Sequence, residues 1–303
     1  MTQGMNRQTL NLAAILIVGI GVTVLLSRWI DARRPPPDPA AIDESLYLKP
    51  TTARRMSLGF NGLVADWYWM RSLQYVGKKI ISVPEDVPID DLGQLNLKML
   101  APLLDTATTL DPNFLDPYEY AAVVLPAVDV QQAIRIARKG VDANPTAWRL
   151  YHQLGYIYWQ QKDYQAASDI YRRGSETPGA PPWMTAMTAK MAAEGGSRAT
   201  ARLIYTRMYE QSADEKVRDM AHRRLVQLDS LDQRDVLRKL LTGYQARVGQ
   251  CPATWREVNQ LLRAIRAPLD ASGSPLDPTN APYQLRAGKC DVDLDPKSEV
   301  LTK

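Results

Sequence analysis

Between Asn144 and Pro178 the chain carries two apolar stripes of helical period with a polar break between them, in the run NPTAWRLYHQLGYIYWQQKDYQAASDIYRRGSETP. Tyr151, Leu154 and Tyr158 stand three, four and seven positions apart, which places them on one face of a helix. Gly155 lies in that face and leaves room for a second helix to come close. Lys162 and Asp163 interrupt the pattern, and Tyr164, Ala167, Ile170 and Tyr171 resume it. The spacing predicts an antiparallel helix pair, and one pair cannot bury its own apolar surface. Neighbouring pairs are therefore required.

The same residues carry a family likeness. Tyr151, Leu154, Gly155 and Tyr158 match the spacing of a W-x2-L-G-x2-Y signature, and Ala167 and Tyr171 stand where the second helix carries Ala and Phe. The stretch resembles a tetratricopeptide repeat. That resemblance implies an all-α fold, a right-handed solenoid of antiparallel helix pairs. Worn units flank the clear one. Tyr118 to Leu125 and Val130 to Gly140 form an earlier pair, and Pro112 and Pro145 bound it at a 33-residue spacing. Asp111-Pro112 and Asn144-Pro145 act as helix stops, because the residue before proline is pushed out of the helical region. A later pair begins at Pro181-Pro182 and turns at Gly195-Gly196, with Ala201 and Tyr205 four apart like Ala167 and Tyr171. Asp214–Leu228 and Gln233–Val248 read as two further helices that cap the array.

Ahead of the repeats, every residue from Leu12 to Leu26 is apolar, Gly or Thr. Residues 10–30 match the roughly 20 needed to span a bilayer, with Trp29 placed as an interface anchor. Ser27-Arg28-Trp29 follows where a signal-peptide cleavage site would need small residues, so an uncleaved transmembrane helix is expected. Arg28, Arg33 and Arg34 favour keeping the rest of the chain inside, whereas long domains cross regardless of charge. Cys251 and Cys290, the only cysteines, could staple the last segment in an oxidising compartment. Weighed together, these features predict a single-pass membrane protein with an extracytoplasmic domain; the bacterial inner membrane and periplasm are what a resemblance carried by Ala65 to Gly77 implies. The expected organisation is a tail over 1–9, the span over 10–30, a Pro-rich linker over 31–50, a helical repeat domain over 51–248 and a distinct segment over 249–303.

The first helical block, from Thr52 to Lys78, is dense in apolar residues at spacings of three and four, which predicts that much of it is buried. Ser82 to Asp91, with two prolines, reads as a loop. Ala65 to Gly77 fits an A-D-W/Y-x-W-x-R-x-x-Q-Y-x-G block and resembles a group of bacterial membrane-anchored repeat proteins, a likeness that implies no function. In the last segment Pro275, Asp277, Pro278, Pro282 and Tyr283 resemble the soluble tail of type II secretion pseudopilins, although Asn280-Ala281 replaces the expected glycine. Two short strands are predicted there, Tyr283–Arg286 and Lys289–Leu294.

The chemistry-bearing residues are few. A net charge of +4 over 303 residues, spread along helices, gives no basis for nucleic-acid binding. His152 and His222, the only histidines, lie in different helix pairs without metal-ligand spacing, and no phosphate loop or nucleophile elbow occurs. Asp66 beside Trp67 and Trp69 keeps a hydrolytic reading open only if a histidine joins it in a pocket. Asp291, Asp293 and Asp295 alternate like a calcium loop, and some pseudopilins hold calcium in that region. Pro296 and Thr302 occupy the positions where an EF-hand needs Gly and Glu, and strand alternation alone would put the three carboxylates on one solvent face. No cofactor is expected.

The tetratricopeptide resemblance implies a concave groove lined by Arg149, His152, Tyr156, Trp159 and Gln160, with Asp116, Glu119 and Val123 from the preceding repeat. Aromatic surface with a mixed polar rim suits a peptide or partner helix. The expected function is a non-catalytic, membrane-anchored scaffold holding a protein partner, in the assembly of an envelope machine of pilus or secretion type. The alternative is an accessory subunit whose aromatic block from Phe60 to Tyr75 meets other membrane subunits. The oligomeric state is left open.

Overall fold

A computed structural model describes residues 7–33, 47–83 and 92–302, and among them the chain forms twelve α-helices and one two-stranded sheet. The fold is mostly helical, with sequential helices packed antiparallel on their neighbours. Two compact units divide it. The first comprises residues 1–89 with 97–110, and the second comprises 90–96 with 111–303.

In the first unit, α1 (Arg7–Arg33) contains the predicted span, and its described side chains from Leu16 to Trp29 face outward. The side chains of residues 7–15 lie outside the described set. Among the described residues no helix is long and apolar enough to cross a membrane. Most of the Pro-rich linker (34–46) and of the expected loop (84–91) likewise falls outside the description. The first helical block is two helices, α2 (Pro50–Met56) and α3 (Asn61–Ile81), because Leu58 and Gly59 adopt positive φ and turn the chain between them. The α3 helix buries Ala65, Tyr68, Ser72, Tyr75 and Val76 and packs on α4 (Leu100–Leu110), where the Tyr75 hydroxyl accepts from Met99 N at 3.5 Å. The opposite face is exposed: Phe60 at 68%, Leu63 at 70%, and Met56, Trp67 and Met70 with them. The expected burial of this block therefore holds for one face only, since α4 is a single helix and covers a single stripe.

The second unit opens with three helix pairs: α5 (Leu115–Val124) with α6 (Val130–Ala143), α7 (Trp148–Gln160) with α8 (Tyr164–Ser175), and α9 (Trp183–Glu194) with α10 (Arg198–Gln211). Packing repeats at thirty-four positions. Ala133, Ala167 and Ala201 are fully buried at that interval, as are Tyr171 and Tyr205. Gly140 lies against Tyr118 and Leu150, and thirty-four positions on Gly174 lies against Tyr151 and Met184. Helix starts are fixed locally. Asp129 accepts from Gln131 N and Gln132 N at 3.0 and 3.1 Å, and Asp163 accepts from Ala166 N at 3.1 Å, each capping an otherwise unpaired helix N-terminus. Asn144 ties together the two ends of the α5–α6 pair, its amide donating to Pro112 O at 2.9 Å.

The two terminal helices expected at Asp214–Leu228 and Gln233–Val248 are one continuous helix, α11 (Glu215–Val248). Residues 229–232 contain no Gly or Pro to break it, and their polar groups have partners. Arg202 pairs with Asp229, Arg198 reaches Asp232 at 2.9 Å, and the Ser230 hydroxyl meets that of Tyr283 at 3.0 Å. The last segment packs on this helix. Leu237 and Leu241 share a core with Trp255, Val258, Leu262, Tyr283, Cys290 and Val292, where each fully buried large apolar side chain contributes roughly 1.5–3 kcal/mol. A short helix α12 (Asn259–Ala264) precedes β1 (Gln284–Arg286) and β2 (Asp291–Asp293), which pair antiparallel with Leu285 opposite Val292. Cys251 and Cys290 are joined as a disulfide, with Cα atoms 5.4 Å apart.

Candidate functional site

Helix α7 presents its outer face to an apolar groove of about 680 Å³ in the second unit. His152, Tyr156, Trp159 and Gln160 line it from α7, and Val123 closes the side formed by α5. These four α7 residues recur at three and four positions, so helical periodicity alone sets them side by side. The other predicted groove residues lie elsewhere. Arg149 is exposed with its guanidinium 4.9 Å from the Trp148 ring, Asp116 is exposed, and Glu119 is half-buried without lining the groove.

The far wall comes from α9, through Trp183 and Met187. Trp183 is 40% exposed and Tyr156 46%, so both offer aromatic surface to a ligand. Neither α9 residue is in the expected set, although the signal was available. Trp183 stands thirty-four positions after Arg149 and Met187 the same distance after Gln153, so the repeat period transfers the groove to the next unit.

Trp159 is held in place. Its Nε1 donates to Glu194 Oε2 at 3.0 Å, Lys190 Nζ sits 4.5 Å from its ring centroid, and Lys190 and Glu194 pair at 3.7 Å. His152 stacks edge-on against Trp183 at 4.8 Å, with its Nδ1 3.2 Å from the Tyr171 hydroxyl. Burial pushes the His152 pKa below its ordinary value, and burial also pushes that of Tyr171 up. The ring is therefore neutral at pH 7, and its polar neighbour is a hydroxyl rather than a carboxylate. Gln153, also in the lining, keeps its buried Oε1 without a hydrogen-bond donor. An apolar groove with fixed aromatic walls can bind a segment that brings an apolar anchor.

Asp66 lies exposed on α3 in the first unit, whereas both histidines belong to the second. Asp291 accepts from Arg238 Nε at 2.7 Å, Asp293 pairs with Arg286, and Asp295 caps the turn at Lys297 N at 2.9 Å. The three carboxylates are thus committed to cations and backbone. Among the described residues no group of three or more His, Cys, Asp or Glu could hold a metal ion. The Pro275-to-Tyr283 motif is structural here, because buried Asp277 gathers the Thr279 and Ala281 N–H groups and the Ser298 hydroxyl. Comparison with protein-family models and with curated proteins finds no match to the chain.

Proposed function

We propose that this chain is a non-catalytic scaffold of tetratricopeptide-like helix pairs, anchored to a bacterial inner membrane through residues 10–30, that holds a segment of a protein partner in the groove between α7 and α9. The observation that carries this reading is the aromatic groove itself: Tyr156 from α7 and Trp183 from α9 both line it and are each nearly half exposed. The occupant is an extended or helical peptide with an apolar anchor seated among Tyr156, Trp183 and Met187. His152, neutral and facing a hydroxyl and an indole, serves recognition rather than proton transfer. Assembly of an envelope machine of pilus or secretion type is the setting in which such a periplasmic holder would act.

The test replaces Tyr156 with a photo-crosslinking phenylalanine analogue in the full-length chain, in its own membranes. One protein partner, joined through one short peptide, is the expected product. Its yield drops at least about tenfold with Trp183→Ala, the scale of losing a central aromatic anchor. Crosslinking no stronger than at exposed Glu210, away from the groove, would sink the reading.

A further inference from the structure

The exposed face of α2 and α3 is a second surface, independent of the groove. Leu63, Trp67 and Met70 follow one another at three or four positions on the side of α3 turned away from the buried Ala65, Tyr68 and Ser72, and Met56 at the end of α2 and Phe60 just before α3 are exposed as well. A side cavity of about 310 Å³ opens beside this stripe, walled by Leu48, Met56, Val64 and Trp67. Two aromatic and three large apolar side chains left exposed on two adjacent helices and the turn between them are more than scattered surface residues, and such a patch marks an interaction site.

The charge around the stripe identifies what it meets. Among residues 47–83 there are six cations, Lys49, Arg54, Arg55, Arg71, Lys78 and Lys79, against a single acid, Asp66. Exposed Arg54 and Arg55 precede Leu63 and exposed Lys78 follows Met70, the Arg71 guanidinium lies 5.7 Å from the Trp67 ring, and Lys79 turns instead to the Tyr75 ring at 5.6 Å. An apolar stripe with aromatic residues and a basic rim is the composition of a helix lying in the headgroup region of an anionic bilayer. The tether fits: residues 34–49 link this surface to apolar α1 and reach at most roughly 60 Å when fully extended. We propose that α2 and α3 form an interfacial membrane surface that seats on anionic lipid, the stripe entering the acyl boundary and the cations contacting phosphate. The side cavity accepts the end of an acyl chain.

Spin labels test this in the full-length chain reconstituted into lipid nanodiscs. Single cysteines replace Phe60, Leu63 or, as a control, Glu210, with Cys251 and Cys290 occupied by their disulfide. In discs containing phosphatidylglycerol, labels at 60 and 63 gain several-fold in collision with oxygen relative to a water-soluble nickel complex, and the label at 210 does not change. High salt or pure phosphatidylcholine reduces the gain, and Leu63→Glu with Trp67→Glu removes it from the label at 60. Labels that stay in water in anionic discs overturn the proposal. Labels shielded from both oxygen and nickel in native membranes overturn it too, because a membrane protein subunit would then cover the stripe.

Discussion

Gly155 of α7 lies so close to Tyr171 of α8 that a Cβ added to the glycine would stand 2.7 Å from the ring Cε2. Tyr171 is fully buried and cannot swing away, so the absence of a side chain at 155 sets the distance between the two helices. Gly155→Ala is predicted to destabilise the protein by about 1–3 kcal/mol through overpacking. Gly243 on α11 has nothing within 4 Å of the corresponding position, and Gly243→Ala should stabilise by about 0.5–1 kcal/mol. Urea denaturation of both variants checks the pair. Equal effects at the two sites would mean that helix propensity alone, and not the close approach, governs Gly155.

That contact marks what the sequence could disclose. The stripes of Tyr151, Leu154 and Tyr158 and of Ala167 and Tyr171 encode both partners of the pair, because repeat packing is local and periodic. The groove was half legible for the same reason: His152, Tyr156, Trp159 and Gln160 sit on one helix, while Trp183 and Met187 arrive from the next pair. Exposure of Phe60, Leu63 and Trp67 could not be seen, since an apolar stripe has the same period whether it faces a core or a bilayer. The continuity of α11 through residues 229–232 could not be read locally, because the partners of Asp229 and Asp232, Arg202 and Arg198, come from α10.

Stability should fall as the solution is acidified through the range below the ordinary histidine pKa of 6.5, and His152 is one cause. Burial depresses its native pKa, so just below 6.5 the unfolded chain binds the proton more readily than the folded one. The native state is then favoured at higher pH and loses ground as pH falls towards the depressed native value. His152→Gln, which cannot titrate, should flatten this part of the profile. Urea midpoints compared at pH about 7 and about 5.5 measure it, in a range above most carboxylate titration. Parallel profiles for the two proteins would show that His152 protonates as easily folded as unfolded.

Asp277 should matter more to the last segment than any other carboxylate there. It is 3% exposed, and its Oδ1 accepts from Thr279 N at 2.7 Å, the Thr279 hydroxyl at 2.8 Å and Ala281 N at 3.0 Å. Asp277→Ala leaves these donors without an acceptor and should cost about 2–4 kcal/mol. Asp277→Asn keeps an oxygen for the turn and should cost clearly less. Thermal melts followed at the Trp255 signal discriminate the two, because the Trp255 indole donates to Tyr283 O at 2.9 Å beside this turn. An alanine variant as stable as the parent would show that the turn holds without its carboxylate.

The disulfide closes a loop of 39 residues around that same core, with Cys290 buried in it and Cys251 packed at its edge. Restricting the unfolded chain over such a length is worth about 4 kcal/mol in the chain-entropy account. Cys251→Ser with Cys290→Ser should therefore loosen residues 249–302 first. The helix pairs from α5 to α10 do not depend on the bridge, since repeat packing draws its stability from nearest neighbours. Limited proteolysis should show new cuts after Arg263, Arg266 or Arg286, all exposed, while α7 and α8 remain protected. Cleavage spreading through α7 and α8 at the same rate would mean that the terminal segment and the repeats unfold as one unit, and that the bridge stabilises the whole array.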